Sequence, residues 1–123
     1  MDYVGGNNTV LSSSGVGFLQ VGLWKVATGT TEIDSFHPGQ IAYADYTVVA
    51  DYSGTTKEIT KFTVVATTAD AVTDVYSKVA VGDPIVDISV SASPTAVTIN
   101  VTPTAGKDGC KVTFSVRYYQ SSS

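Results

Sequence analysis

The alternation of apolar and polar residues is clearest near the end of the chain, in residues 110–119. The apolar face of this stretch consists of Cys110, Val112, Phe114, Val116 and Tyr118. Because successive side chains of a strand point to opposite faces, the pattern predicts a strand with one buried and one solvated face. Residues 96–102 alternate in the same way, and turn-forming residues 103–109 separate the two stretches. We predict that the two stretches pair as a hairpin at the centre of a β-sandwich.

Six earlier stretches also have strand-like patterns. They are residues 17–27, 31–36, 41–51, 57–67, 72–81 and 86–90. Turn formers separate these stretches. Residues 17–27 are apolar on both faces, which is typical of a central strand or of one covered by another subunit. About eight antiparallel strands at regular spacing predict an all-β fold with a single β-sandwich or jelly-roll-like domain.

The beginning of the chain differs from the rest. We predict an extended N-terminal arm at residues 1–15, a sandwich domain at 16–120 and a frayed tail at 121–123. The arm is rich in Gly, Asn and Ser, so it cannot bury enough apolar surface to order itself. It is either a floppy terminus or an arm that orders on a neighbouring subunit. In the second case we expect the residues that contact the neighbouring subunit to be Tyr3, Val4, Val10 and Leu11.

The composition argues against several classes of protein. Hydrophobic residues make up 43% of the chain and charged residues 15%, which fits a compact domain rather than a disordered chain. The net charge of −4 does not suit a protein that follows a phosphate backbone, so we expect no nucleic-acid partner. No apolar run approaches the roughly 18 residues of a membrane span, and we expect no membrane partner. The first residues lack the pattern of a signal peptide.

Catalytic constellations are scarce in the sequence. The single histidine, His37, precedes a Pro-Gly turn and has no evident nucleophile to serve. The only glutamates, Glu32 and Glu58, lie at the ends of predicted strands, where we interpret them as solvated edge charges rather than a glycosidase pair. The sequence therefore predicts that the chain is not an enzyme.

Metal and cofactor sites are also not predicted. One histidine and one cysteine cannot supply the four ligands of a structural zinc site. A surface calcium held by Asp83 and Asp87 is the alternative. The single cysteine, Cys110, cannot form an intrachain disulfide, and its place on an apolar face predicts a small buried hydrophobe.

The tyrosines are numerous, seven in a chain of 123 residues. By alternation Tyr43, Tyr76 and Tyr119 point away from the apolar sides of their strands. Exposed aromatic residues are favoured at protein interfaces and in sugar-binding sites. The alternative is ordinary cross-strand pairing on a solvated sheet face.

Seven sequence motifs occur along the chain in a characteristic order. They are TEIDSF at 31–36, AYADYTV at 42–48, EITKF at 58–62, TDVY at 73–76, DISV at 87–90, VTINVTP at 97–103 and KVTFSVR at 111–117. The series resembles a β-sandwich module that recurs in structural proteins of tailed bacteriophages, including phages of cyanobacteria. The resemblance covers about residues 30–119. The chain departs from the family at residues 67–70, where other members carry an Asp-Gly turn.

The resemblance implies a non-enzymatic virion structural protein, made in the host cytoplasm. Together with the arm, it suggests a capsid cement or decoration protein on the outer surface of the head. Such a protein would stabilise the head by binding the major capsid protein and neighbouring copies of itself, as a homo-oligomer. The alternative is a tail-fibre, neck or other appendage domain that contacts the host surface or its glycans. A small depolymerase is a third hypothesis, for which the sequence offers no clustered acids or triad.

Overall fold

The computed structural model of the chain describes residues 8–11 and 17–121. Ten strands lie in these residues. They are β1 (Asn8–Leu11), β2 (Gly17–Val21), β3 (Lys25–Ala27), β4 (Thr31–Phe36), β5 (Ile41–Tyr52), β6 (Thr56–Ala66), β7 (Ala71–Val81), β8 (Val86–Ala92), β9 (Val97–Pro103) and β10 (Cys110–Gln120). The described part contains no helix that could span a membrane.

The strands form two antiparallel sheets, which confirms the predicted all-β sandwich. The large sheet has the order β1-β2-β10-β5-β6-β7, and β3 follows β2 along the same edge of β10. The small sheet has the order β4-β9-β8. From β4 to β10 this is the strand order of a variable-type immunoglobulin sandwich. The difference is that the strands flanking β10 come from the beginning of the chain rather than from its end.

All eight stretches predicted as strands are strands. The first of them is divided, because residues 22–24 leave the ladder between β2 and β3. β1 lies inside the segment predicted as an arm and pairs with β2. The other residues of the predicted arm lie outside the described part of the chain.

The predicted central hairpin is wrong. β9 pairs with β4 and β8, whereas β10 pairs with β2, β3 and β5. The two strands belong to opposite sheets, and their apolar faces meet across the core. Residues 104–109 bridge the roughly 10 Å between the sheets. Alternation identifies the buried face of a strand, but it does not identify the neighbour that completes its hydrogen bonds.

The core lies between the inward faces of the two sheets. Its largest side chains include Tyr46, which stacks on Phe62 with ring centroids 4.9 Å apart, and Phe36, which meets the ring of Tyr118 edge-on. Every apolar position predicted on the inner face of β10 is buried. Cys110 is among them, as predicted, and burial raises the pKa of its thiol.

The large sheet is wider than the small one, and this difference shapes the surface. Only three strands cover its inner face, so the strands at its margins extend past the small sheet. β7 is the marginal strand on one side and contains no buried residue.

Candidate binding surface on the large sheet

The face of the large sheet that points away from the small sheet is called the outer face. Strand pairing aligns its side chains in rows that run across the strands. Tyr119 lies opposite Tyr43, Tyr43 opposite Val65, and Val65 opposite Val72. In the next row Arg117 lies opposite Asp45. Side chains directly opposite each other in an antiparallel ladder are neighbours, so the side chains of each row contact one another across the sheet.

Three of the predicted site residues meet on this face. The rings of Tyr43 and Tyr119 lie 4.7 Å apart between centroids. The hydroxyl of Tyr76 donates a hydrogen bond of 2.8 Å to Oδ1 of Asp45, and that bond raises the pKa of Tyr76. Tyr43, Tyr76, Tyr119 and Asp45 are called the tyrosine cluster below.

A bulge explains how Tyr76 reaches the cluster. Val75 lies opposite Phe62 and Ser77 opposite Lys61, so Tyr76 is an extra residue in its strand. An extra residue bends the strand and redirects its side chain. Alternation placed Tyr76 with Lys78, on the face opposite Val75, Val79 and Val81. The bulge makes this pattern wrong for the second half of β7, because Val79 and Val81 share the outer face with Tyr76, whereas Lys78 lies opposite the buried Thr60.

The remaining predicted site residues belong to the N-terminal segment. Tyr3 and Val4 lie outside the described residues. Val10 and Leu11 lie in β1, where they pair with residues 19 and 18 of β2. Their proposed role in gripping a neighbouring subunit stays a prediction.

An apolar strip runs along the β6–β7 margin of the large sheet. It consists of Ile59, Val65, Val72, Val79 and Val81, which face outward in two groups, because the polar pairs Lys61–Ser77 and Thr63–Asp74 lie between them. Val75 is also exposed, but it lies opposite the buried Phe62 and faces the other side of the sheet. Val79 is 65% exposed and Val81 is 70% exposed, and both lie beside Ile59 on the outer face. Exposed apolar side chains that cluster on a surface often mark an interaction site. β7 is also an edge strand, so one side of its backbone is available for pairing.

The outer face also has a hollow beside Trp24, which the alternation pattern did not predict. Trp24 is 54% exposed and lines an open hollow of about 460 Å³ with Lys25, Val26, Asp51 and Lys111. The sequence pattern predicted one continuous strand over residues 17–27, whereas Trp24 lies in the gap between β2 and β3. The isolated glycine at position 22 was the available signal, since glycine within a strand often marks a bulge or a close approach.

Gly22 fixes the geometry of the gap. Its N–H donates to the carbonyl oxygen of Phe114 at 2.9 Å, and its own carbonyl accepts from the Thr113 hydroxyl at 2.6 Å. A Cβ at this position would lie 2.2 Å from Cε1 of Phe114. Glycine is therefore required here, and the anchored backbone carries Leu23 and Trp24 outward.

Two carboxylates are buried in the sandwich. Asp34 becomes inward-facing at a bulge, because Ile33 is skipped in the pairing of β4 with β9. Its Oδ2 accepts hydrogen bonds from the hydroxyls of Tyr46, at 2.6 Å, and of Tyr118. Asp34 belongs to the small sheet and both tyrosines to the large sheet, so this carboxylate joins the two layers.

Glu58 is the second buried carboxylate, and its predicted role as a solvated edge charge is wrong. It is 1% exposed, while Glu32 is exposed as predicted. Oε1 of Glu58 accepts from the N–H groups of Ile85 and Val86 at 3.1 and 3.0 Å, and Oε2 lies 3.7 Å from the Lys78 ammonium. Register places Glu58 on the inward side of β6, where it holds the connection from β7 to β8.

The remaining candidates for chemistry have local structural contacts. Nδ1 of His37 accepts a hydrogen bond of 2.9 Å from the N–H of Gly39 within the turn that follows β4. Among the described residues no group of three or more His, Cys, Asp or Glu side chains is arranged to hold a metal ion. Asp87 lies 3.7 Å from the Lys78 ammonium.

Comparison with known proteins gives one structural likeness. No protein-family model and no curated protein sequence matches the chain. A tailspike protein, gp49 of the Acinetobacter baumannii bacteriophage Fri1, matches with a TM-score of 0.61 and 12% sequence identity. That protein is described as a capsular polysaccharide depolymerase. The likeness is one of fold. It covers 91% of this chain but only 19% of the tailspike, so the chain corresponds to about one fifth of that protein.

Proposed function

We propose that the chain is a non-enzymatic structural module of a tailed-phage virion, and that it belongs to a tail appendage. Its sequence resembles β-sandwich modules of phage structural proteins. Its fold is similar to part of a phage tailspike, in which a domain of this size is one section of a longer protein. The sequence resemblance and the fold likeness both support a role as a structural part of a virion.

The observation that carries the proposal is the apolar strip on β6 and β7. Complete burial of one valine side chain contributes about 1.5–3 kcal/mol, so covering several of these exposed valines would favour association strongly. A permanent neighbour in a particle would also satisfy the unpaired backbone of β7. An assembly role therefore explains both the exposed side chains and the unprotected edge.

The polar groups of the core support the same proposal. Asp34 is bonded to two tyrosine hydroxyls, and Glu58 is bonded to two backbone N–H groups. Each carboxylate joins separate parts of the sandwich. These are contacts that stabilise a fold, and the proposal assigns no catalytic step to them.

The test is the copy number of the chain in purified virions, measured by quantitative mass spectrometry against the major capsid protein. A tail appendage is present in a small number of copies set by the symmetry of the tail. Near parity with the capsid subunit would overturn the tail location and favour the capsid cement role predicted from the resemblance. Absence from the particle would overturn both.

A pair of variants tests the assembly surface itself. Val79→Asp adds a charge to the apolar strip, whereas Ser91→Asp adds the same charge to an exposed strand position on the small sheet. We expect the first variant to fold but to be lost from virions, and the second to be incorporated normally. Equal incorporation of the two variants would contradict a role for the strip.

A further inference from the structure

We infer that the outer face of the large sheet packs against the same face of a second copy of the chain, as a symmetric homodimer. This deepens the proposed function, because it names the partner of the apolar strip, and it rests on that function only for the role of the strip. The order of the side chains in the rows across β10, β5, β6 and β7 supports it.

A two-fold axis fixes which strands of the two copies face each other. Two sheets that pack face to face keep their strands within about 30° of each other, so an axis along the strands sets each row against the same row of the second copy. If the axis lies between β5 and β6, then β5 of one copy faces β6 of the other, and β10 faces β7. Each contact occurs twice, because a two-fold interface pairs residue i with j and j with i.

The charged residues of the outer face match under this axis. Arg117 and Asp74 stand in the same row, on β10 and β7, so the guanidinium of each copy faces the carboxylate of the other. Asp51 and Lys57 lie opposite each other on β5 and β6, so they also face each other across the interface. Lys61 of the middle row faces a threonine. Like charges in these rows do not face each other directly, and contacts between like charges would disfavour association.

The apolar residues match under the same axis. Three pairs form, in which the second member belongs to the other copy: Tyr43 with Val65, Tyr119 with Val72, and Val49 with Ile59. Val79 and Val81 face β10, beside the hollow that Trp24 lines. The axis therefore covers the whole apolar strip and gives the exposed indole an apolar neighbour.

Other axes along the strands fit less well. An axis on β5 sets Asp51 against its own copy and Lys111 against Lys57, and an axis on β6 sets Lys57 against its own copy. An axis between β10 and β5 pairs Arg117 with Asp45 but leaves β7 uncovered. The axis between β5 and β6 both pairs opposite charges and covers the strip.

The face also has the composition and the size of an interface. Tyr and Arg are enriched in protein interfaces, and this face carries Arg117 and the three tyrosines of the tyrosine cluster. β10, β5, β6 and β7 each contribute five outward residues, and the bulge adds Tyr76. That is about 20 residues per copy, and a stable interface of standard size uses about 20–30 on each side.

The experiment measures the mass of the purified full chain by sedimentation, between about 1 and 100 μM. We expect the mass to double from 12.8 kDa as the concentration rises. Trp24 is the single tryptophan, and its fluorescence should shift to shorter wavelength over the same range as the second copy covers it. A chain that stays monomeric would assign the face to another protein and overturn the inference.

This outcome is separable from that of the proposed function. A chain that dimerises but is absent from virions would overturn the proposed function alone. A chain that is present in virions but monomeric in solution would overturn the inference alone.

An exchange of charges tests the axis. Asp74→Arg should weaken the dimer at least about tenfold, because it sets an arginine against Arg117 of the second copy at two symmetric places. Adding Arg117→Asp should restore the affinity to within about threefold of the native value. Asp83→Arg makes the same change of net charge at an exposed position between β7 and β8, and should alter the affinity less than about twofold. Equal effects of the two single variants, or no recovery in the double variant, would overturn the inference.

Discussion

The carboxylate of Asp34 offers the sharpest test of how this sandwich is held together. It extends from the small sheet and accepts hydrogen bonds from Tyr46 of β5 and Tyr118 of β10, both in the large sheet. All three side chains are buried. The change Asp34→Ala removes one acceptor from two hydroxyls and leaves a void between the layers.

The expected magnitude follows from these contacts. A hydrogen bond to a charged group contributes about 1.5–3 kcal/mol, so removing two should lower the free energy of unfolding by about 3–6 kcal/mol. Domains of this size are typically stable by about 5–15 kcal/mol, so the loss is a large fraction of the total. Asp34→Asn preserves the shape and one acceptor oxygen but removes the charge. We expect an intermediate loss of about 1–3 kcal/mol for it.

The assay is equilibrium unfolding in urea at neutral pH, with the slope of the transition compared between variants. Tyr46→Phe and Tyr118→Phe each remove one hydroxyl and should each cost about 1.5–3 kcal/mol in the native chain. In the Asp34→Ala chain the same changes should cost less, because the acceptor is already gone. Equal costs in the two backgrounds would mean no coupling, and the role assigned to Asp34 would then be wrong.

Two further predictions concern the outer face. Gly22→Ala should lower the free energy of unfolding by about 1–3 kcal/mol, because its Cβ must displace the buried ring of Phe114. Urea unfolding measures the loss, and a Phe114→Leu background should reduce it if the clash is the cause. Tyr76 has a folded-state pKa raised above its ordinary value of 10.0, chiefly by its hydrogen bond to Asp45. Its contribution to stability is therefore complete below pH 10.0 and is lost as the pH rises through the raised value. Tyr76→Phe should weaken the alkaline loss of thermal stability, and an unchanged pH profile would contradict this assignment.

The strands themselves were predictable from the sequence. In β9 and β10 the apolar residues recur at every second position, and these residues are the buried ones. β6 departs from the pattern, because Glu58 and Thr60 are buried whereas Ile59 and Val65 are exposed. Period-two alternation is a local consequence of strand geometry, so it can be recognised without knowing the partner. The same rule placed Tyr43 and Tyr119 on the side away from the core. It failed in β7, where the bulge at Tyr76 puts Val79 and Val81 on the outer face as well.

The pairing of strands was not predictable in the same way. β9 and β10 have the pattern and the turn residues of a hairpin, yet they lie in opposite sheets. A strand with one apolar face is equally consistent with a lateral neighbour and with a facing sheet, and only the packing of the whole chain selects between them. The interface role of the tyrosines stays a prediction, although the structure shows that they share one surface.

The buried carboxylates and the Trp24 hollow depended most on tertiary structure. Asp34 faces inward because of a bulge at Ile33, and Glu58 is buried because the β7–β8 connection lies against it. Trp24 is exposed because Gly22 packs against Phe114, which is distant in sequence. The sequence alone determined which residues form strands and which faces are apolar, since these depend on neighbours along the chain. The sheet order, the polar groups of the core and the surface sites depend on contacts between distant residues, and only the folded chain brings those together.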